Sequence, residues 1–175
     1  MVTTKLFLAG SGGQGIILMG QIITYAAMHE DKETTFLPSY GPEMRGGTAN
    51  STVIVSDRTI SCPLIYEADV VVAMNLPSML RFESLVKPGG KLFLNTSVIN
   101  QKPTRTDIEV FEFGATDKAN AIGLSRSANI LMLGELIRNT DIVSPESIEY
   151  VLSHKVFTGK RADLLEANLK AFRGE

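Results

Sequence analysis

Six residues near the start of the chain, Gly10-Ser11-Gly12-Gly13-Gln14-Gly15, limit most strongly what the rest can become. They follow a short apolar run, Leu6-Phe7-Leu8-Ala9, and precede a long one, Ile16 to Met28. An apolar run of that length ending at a glycine reads as a buried parallel strand. Ile16 to Met28 is long enough for a helix and apolar nearly all round, so it is expected to be buried on several sides. Gly20 within it costs about 1 kcal/mol relative to alanine and signals close packing against a strand or a partner. Gly10, Gly12 and Gly15 match G-x-G-x-x-G in the strand-to-helix context that gives the pattern meaning. Gly10 and Gly12 permit a tight turn and close backbone approach, and Gly15 lets the helix sit near the sheet. The helix start then offers unpaired N–H groups and partial positive charge, suited to phosphate or another anion. Two readings fit these residues: the turn binds an anion, or its glycines serve strand–helix packing alone.

Strand and helix signals alternate along the rest of the chain. Thr34 to Leu37 reads as a second strand stopped by Pro38. Residues 39–50, Ser39-Tyr40-Gly41-Pro42-Glu43-Met44-Arg45-Gly46-Gly47-Thr48-Ala49-Asn50, show no regular pattern. Ser51 to Ser56 and Thr59 to Cys62 read as an antiparallel hairpin turning at Asp57-Arg58. Asp69 to Met74 is the clearest central strand. Ser78 to Val86 is a helix closed by Lys87-Pro88-Gly89-Gly90. Lys91 to Asn95 is a buried strand, and Asp107 to Phe113 is a strand nearer an edge because Glu109 and Glu112 interrupt it. Gly114 to Ser127 is polar, with Ser127 placed to cap a helix over Ala128 to Arg138 that turns Leu131, Met132, Leu136 and Ile137 inward. Ser144-Pro145-Glu146 starts a further helix, and Lys160 to Arg173 forms an amphipathic terminal one. The pattern predicts a single α/β domain over 1–175, with a Rossmann-like, mostly parallel sheet, helices on both faces and an inserted antiparallel hairpin.

The glycine turn lacks what a dinucleotide would need. An acid that holds the ribose is expected about 20 residues beyond the glycines, at the end of the second strand. That strand ends in Phe36-Leu37-Pro38-Ser39, while Glu30, Asp31 and Glu33 come before it. No lysine stands in a G-K-[ST] context, so the turn is not a triphosphate loop. Lys plus Arg is 17 against 19 for Asp plus Glu, a net charge of −2, which makes no electrostatic case for nucleic acid or an anionic membrane. The single cysteine, Cys62, can form no disulfide within the chain and no four-thiolate iron–sulfur cluster; beside Pro63 it reads as a small buried hydrophobe. His29 and His154 lack metal-ligand spacing. Asn95, ending a parallel strand, is a candidate for the ligand edge. No apolar run approaches a membrane span or a signal-peptide core, so the expectation is a cytoplasmic protein.

Loops after parallel strands project from the carboxyl edge of a sheet, where ligands bind. The 39–50 stretch is therefore expected on the same edge as the glycine turn. A dozen residues without regular pattern are usually functional. Tyr40 has an apolar face and a polar tip, and Gly46-Gly47 allow unusual main-chain angles. Pro42 restricts Gly41, Arg45 carries a planar fork suited to carboxylate or phosphate, and Glu43 can pair with it or with a partner. The plainer alternative is a solvated loop with an incidental charge pair.

GSGGQG at 10–15 followed by SYGPEMRGG at 39–47 resembles the gamma subunit of 2-oxoacid:ferredoxin oxidoreductases, the pyruvate/ketoisovalerate oxidoreductase gamma-type domain. The strand Ala68 to Met74 and the turn Leu85 to Gly90 also resemble it, so the likeness covers nearly the whole chain. The resemblance implies an enzyme of several subunits that oxidatively decarboxylates a 2-oxoacid with coenzyme A, giving an acyl-CoA, carbon dioxide and reduced ferredoxin. It places thiamine diphosphate and Mg2+ on alpha- and beta-type partners and iron–sulfur clusters on other chains, with no cofactor bound by this chain alone. A small ferredoxin-like delta subunit and external ferredoxin are further implied partners. A separate short chain looks most like the 2-oxoglutarate type. No catalytic residue is expected here. Gly10, Ser11, Gly12, Gly13, Gln14 and Gly15, with Ser39, Tyr40, Gly41, Glu43, Arg45, Gly46 and Gly47, are expected to face partner subunits and position coenzyme A. Purified alone, the chain is expected to pair through its partner-facing apolar surface. The competing readings are a stand-alone Rossmann dehydrogenase or methyltransferase, and an assembly module whose turn binds nothing.

Overall fold

The computed structural model describes residues 2–40 and 48–175. Its centre is β1 (Thr3–Ser11), in which Leu6, Leu8 and Ala9 are fully buried. β1 is paired on both sides: antiparallel to β3 (Thr48–Ser56) and parallel to β4 (Ala68–Ala73). β2 (Glu33–Tyr40), β5 (Val86–Asn95) and β6 (Glu109–Phe113) complete one six-stranded sheet in the order β2-β3-β1-β4-β5-β6. Only β3 runs against the rest. The mostly parallel α/β sheet is therefore as expected, but its antiparallel part is built differently.

The expected hairpin at Asp57-Arg58 does not form, and residues 59–62 contain no strand. The reason is edge availability. β3 is already hydrogen-bonded to β1 on one side and β2 on the other, so a following strand has no edge to join. The chain is turned out of the sheet where the Val2 N–H donates to Asp57 Oδ2 at 3.0 Å and the Asp57 N–H donates to the Val2 carbonyl at 3.2 Å. Pro38 does not stop β2 either; it pairs in register with Ser51. β2 is an edge strand, where a residue without an N–H is tolerated. The 39–50 stretch is shorter than expected, since Ser39 and Tyr40 end β2 and Thr48 to Asn50 begin β3.

Helices cover both faces unequally. α1 (Ile16–His29), α4 (Ala128–Arg138), α5 (Pro145–Val151) and α6 (Leu165–Arg173) enclose the larger core, which takes Leu6, Leu8, Val70, Val72 and Phe93 from the sheet. α2 (Leu76–Phe82) covers Phe7, Val71, Ala73 and Leu92 on the opposite face. Ile16, Met19, Ile22 and Ile23 of α1 are buried, each worth roughly 1.5–3 kcal/mol relative to exposure. The four residues expected to face inward on α4 are all buried. Ser144 caps α5 as expected, its hydroxyl accepting from the Ser147 N–H at 3.2 Å.

Three segments differ from expectation. The helix expected to reach Val86 ends at Phe82 and passes through one 3-10 turn, Glu83–Leu85, directly into β5. The buried Glu83 carboxylate draws the chain there, accepting from the N–H and hydroxyl of Thr104, both at 2.8 Å. Lys87 to Gly90 is then an excursion within β5: Val86 pairs with Ala68, and pairing resumes at Lys91 with Val70. The polar 114–127 stretch contains a helix, α3 (Ala115–Ala121), seated on fully buried Ala115 and Ala119. The terminal segment is 3-10 from Gly159 to Leu164 and α-helical only from Leu165. β6 lies at the far edge with Glu109 and Glu112 exposed, as expected for an interrupted strand.

Two interactions here are testable. A Cβ at Gly20 would lie 2.7 Å from the Phe36 ring and 2.7 Å from Ser51 Oγ, so Gly20→Val is expected to cost about 2 kcal/mol in denaturant unfolding through overpacking. Glu30, just past α1, accepts from the Ser144 N–H at 2.6 Å and pairs with Lys32 at 2.8 Å. Partial burial works to raise its pKa, but the bonds from Lys32, Ser144 and Ser147 outweigh it and hold the carboxyl at about 2. A carboxyl depressed in the folded state contributes stability above its unfolded value of 4.5, and that contribution is lost as pH falls toward about 2. Thermal unfolding of Glu30→Gln is expected to show a lower Tm at pH 7 and a flatter decline between pH 4.5 and 2 than the parent.

Candidate functional site

The site is built where β1 meets α1. Gly13 and Gly15 have φ of +93° and +74°, the left-handed region that favours glycine. Gly15 is the N-cap of α1 with no side-chain cap bond, and a Cβ there would collide with the Asn129 carboxamide of α4. A Cβ at Gly10 would meet the Ile16 side chain at 2.7 Å and Gln14 Oε1 at 2.8 Å. Packing therefore demands glycine at 10 and 15, whereas Gly13 faces open space. A cleft of about 480 Å3 lies on the outer side of the turn, lined by Ser11, Gly12, Gly13 and Gly15, the first residues of α1 through Leu18, Gln21 and Ala49. Its lining combines the Ser11 and Gln21 side chains with turn glycines and the start of a helix, a kind of backbone terminus that suits an anion. Gln14 does not line it; its carboxamide turns inward to the Ser11 N–H and the Met74 carbonyl.

The second segment reaches the same edge. Tyr40 pairs with Ala49, which pairs with Gly10; Ser39 pairs with Asn50, which pairs with Ala9. Ser39 and Tyr40 thus stand two strand spacings, about 10 Å, from the glycine turn. Thr48 pairs directly with Ser11. Gly41, Glu43, Arg45, Gly46 and Gly47 lie outside the described residues.

Several other expectations resolve differently. Asn95 is fully buried, donating to Thr116 Oγ1 at 2.9 Å and the Met74 carbonyl at 3.4 Å; it fastens α3 to the sheet rather than lining the edge. Cys62 is exposed, not buried, because its segment leaves the sheet. Ser127 begins α4 without a side-chain cap bond. His29 and His154, far apart in sequence, stack on opposite sides of Tyr150 with ring centroids 3.9 and 4.2 Å away. Only the Tyr150–His154 spacing of four hinted at this arrangement. Among the described residues no group of three or more His, Cys, Asp or Glu could hold a metal ion. The groups with displaced pKa values — Glu30, Lys87, Arg105, Asp107, Glu149 and Arg173 — are in ion pairs elsewhere in the fold.

Fold and site together define a Rossmann-like α/β domain whose glycine turn, helix start and adjoining strand ends meet at one sheet edge. Residues 5–174 match the family described as pyruvate ferredoxin/flavodoxin oxidoreductase. The chain is 37% identical over 171 residues to the 2-oxoglutarate synthase subunit KorC of Methanocaldococcus jannaschii, covering 96% of this chain and 89% of that one. It superposes with a TM-score of 0.86 and 28% identity on a keto/oxoacid ferredoxin oxidoreductase gamma subunit from Geobacter sulfurreducens, covering 99% of this chain and 94% of the other. It also superposes, with a TM-score of 0.90 and 26% identity, on 2-oxoglutarate:ferredoxin oxidoreductase from Magnetococcus marinus with 2-oxoglutarate, coenzyme A and succinyl-CoA bound. There it covers 99% of this chain and 30% of the longer one. The chain belongs to this oxidoreductase family and is a gamma subunit of a 2-oxoacid:ferredoxin oxidoreductase. Among the described residues no helix is long and apolar enough to cross a membrane.

The two left-handed glycines separate strain from collision. Gly13→Ala is expected to lose about 1 kcal/mol from backbone strain alone, and Gly15→Ala at least twice that, because it also displaces Asn129. Chemical denaturation of both variants reads the difference.

Proposed function

We propose that this subunit serves an enzyme oxidising 2-oxoglutarate with coenzyme A to succinyl-CoA, carbon dioxide and reduced ferredoxin, and that its glycine-turn edge positions the coenzyme against partner subunits. The observation carrying this reading is the meeting of the turn, the start of α1 and the ends of β2 and β3 at one sheet edge, around a cleft of about 480 Å3. Backbone N–H groups at a helix start suit the coenzyme's phosphates, and Ile17 and Leu18 in the same cleft suit its apolar arm. Arg45, between β2 and β3, adds a fixed cation for a phosphate. The preference for 2-oxoglutarate rests on the separate, short KorC relatives.

In this reading thiamine diphosphate with Mg2+ sits on alpha- and beta-type partners, supplying the carbanion chemistry, and iron–sulfur clusters on other chains carry the electrons. One cysteine does not furnish the four thiolates a cluster takes, which supports placing the clusters elsewhere. A small ferredoxin-like delta subunit and external ferredoxin complete the assembly, in the cytoplasm. This chain's own residues bind and orient. Without partners, Tyr25 and Met28 on α1, both exposed, contribute to an apolar surface through which two copies pair. A second reading, a pure assembly module, draws on the demand of packing for Gly10 and Gly15.

Arg45→Ala in the assembled enzyme is expected to raise the KM for coenzyme A about tenfold, the loss of one charge-assisted bond, with complex size and kcat nearly unchanged. An unaltered KM in an intact complex removes the coenzyme role and leaves the assembly reading. Turnover ranked over 2-oxoglutarate, pyruvate and 2-oxoisovalerate tests the substrate.

A further inference from the structure

A second polar cleft lies at the amino end of β1, the opposite end from the glycine turn. It measures about 390 Å3 and is lined by Lys5 and Ile54 from the sheet and by Arg58, Thr59, Ser61 and Cys62 from the segment after β3. Lys5 stands on the central strand, partly buried, in register with Ile54. A cation so placed costs desolvation unless a negative charge answers it. The acid beside it is already engaged: Asp69 accepts from the Lys5 N–H at 2.7 Å with one carboxylate oxygen and pairs with Lys87 through the other. Among the described residues neither Lys5 nor Arg58 is in an ion pair, and none of those lining the cleft carries a carboxylate. An adjoining hollow that also touches Lys5 and Arg58 contains Glu67, Asp69 and Lys87. Over the two hollows three cations face two carboxylates, so positive charge is left over. Arg58 is anchored at its main chain, its N–H donating to Ser56 Oγ at 3.2 Å, and that hydroxyl is bonded to Thr3 Oγ1 at 2.7 Å.

We propose that this amino-end cleft binds a small organic dianion, held between the Lys5 ammonium and the Arg58 guanidinium. Arg58 supplies a planar fork that matches phosphate and carboxylate alike, and Lys5 supplies a point charge. Thr59 and Ser61 add hydroxyl donors, and Ile54 gives the carbon part of the ligand a surface to lie on. The volume falls within the range of about 300–1,000 Å3 found for small-molecule sites. Phosphate esters and short dicarboxylates share the chemistry required. The cleft and the coenzyme edge occupy opposite ends of β1, and the inference does not rest on the role proposed for that edge.

Cys62, the single cysteine of the chain, is a reporter within the cleft. Anionic iodoacetate and neutral iodoacetamide attack the same thiolate, so the ratio of their rates reads the local field and not the thiolate fraction. That ratio is expected to be about fivefold higher in the folded full chain than in the same chain unfolded in urea, through electrostatic focusing. Lys5→Gln and Arg58→Gln are each expected to lower it about twofold. Inorganic phosphate and succinate, titrated into the 15N-labelled chain at an ionic strength held constant with sodium chloride, test occupancy. At least one of them is expected to give saturable shifts of the Thr59, Ser61 and Cys62 amides, with affinity about tenfold weaker in Arg58→Gln. Tighter binding of phosphate points to a phosphate ester as the ligand, and tighter binding of succinate to a dicarboxylate. The proposal is overturned if neither anion gives a saturable shift, if Arg58→Gln binds as the parent does, or if the rate ratio is no higher than in the unfolded chain. Should Lys5→Gln not fold, Arg58→Gln decides alone, because Arg58 is exposed.

Discussion

The close approach of α1 to the sheet governs the architecture. Gly10 against Ile16 and Gly20 against Phe36 and Ser51 permit it, and Gly15, between them at the same interval of five, admits Asn129 of α4. Each removes a Cβ that would otherwise hold the helix off a neighbour. With the helix seated this closely, Ile16, Met19, Ile22 and Ile23 are buried against β1 and β3. The helix start is then delivered to the carboxyl edge of β1. The same constraint explains a turn that looks like a nucleotide loop while two of its glycines answer to packing.

The reversed β3 is the second organising feature. Inserted between β2 and β1, it displaces β2 by one position and turns the chain back at the edge where the glycine turn lies. An extra parallel strand there would send its connection across a helix layer. The reversal instead keeps Tyr40 and Thr48 beside Gly10 and Ser11. Adjoining strand ends and a helix start thus form one continuous surface at that edge.

Much of this was legible wherever the signal was local. The β1–turn–α1 unit, β4 and the inward face of α4 follow from apolar period and glycine placement within a few residues. What failed depended on distant partners. Val55 and Thr59 look equally strand-like, but only a complete sheet reveals that β3 has no free edge. Pro38 reads as a stop until β2 is known to be outermost. α3 hides in a polar stretch because its anchors, Ala115 and Ala119, are too small to signal burial. At the site, sharing of an edge by the two motifs was inferred from the direction of parallel strands. The inward turn of Gln14 was not, because its partners, Met74 and Asn75, are some 60 residues away.

Both margins of the sheet are poor templates for accretion. Pro38 removes a donor from β2, and exposed Glu109 and Glu112 put charge along β6. Blunted margins at both ends of the sheet keep copies of the chain from adding strand upon strand into fibrils.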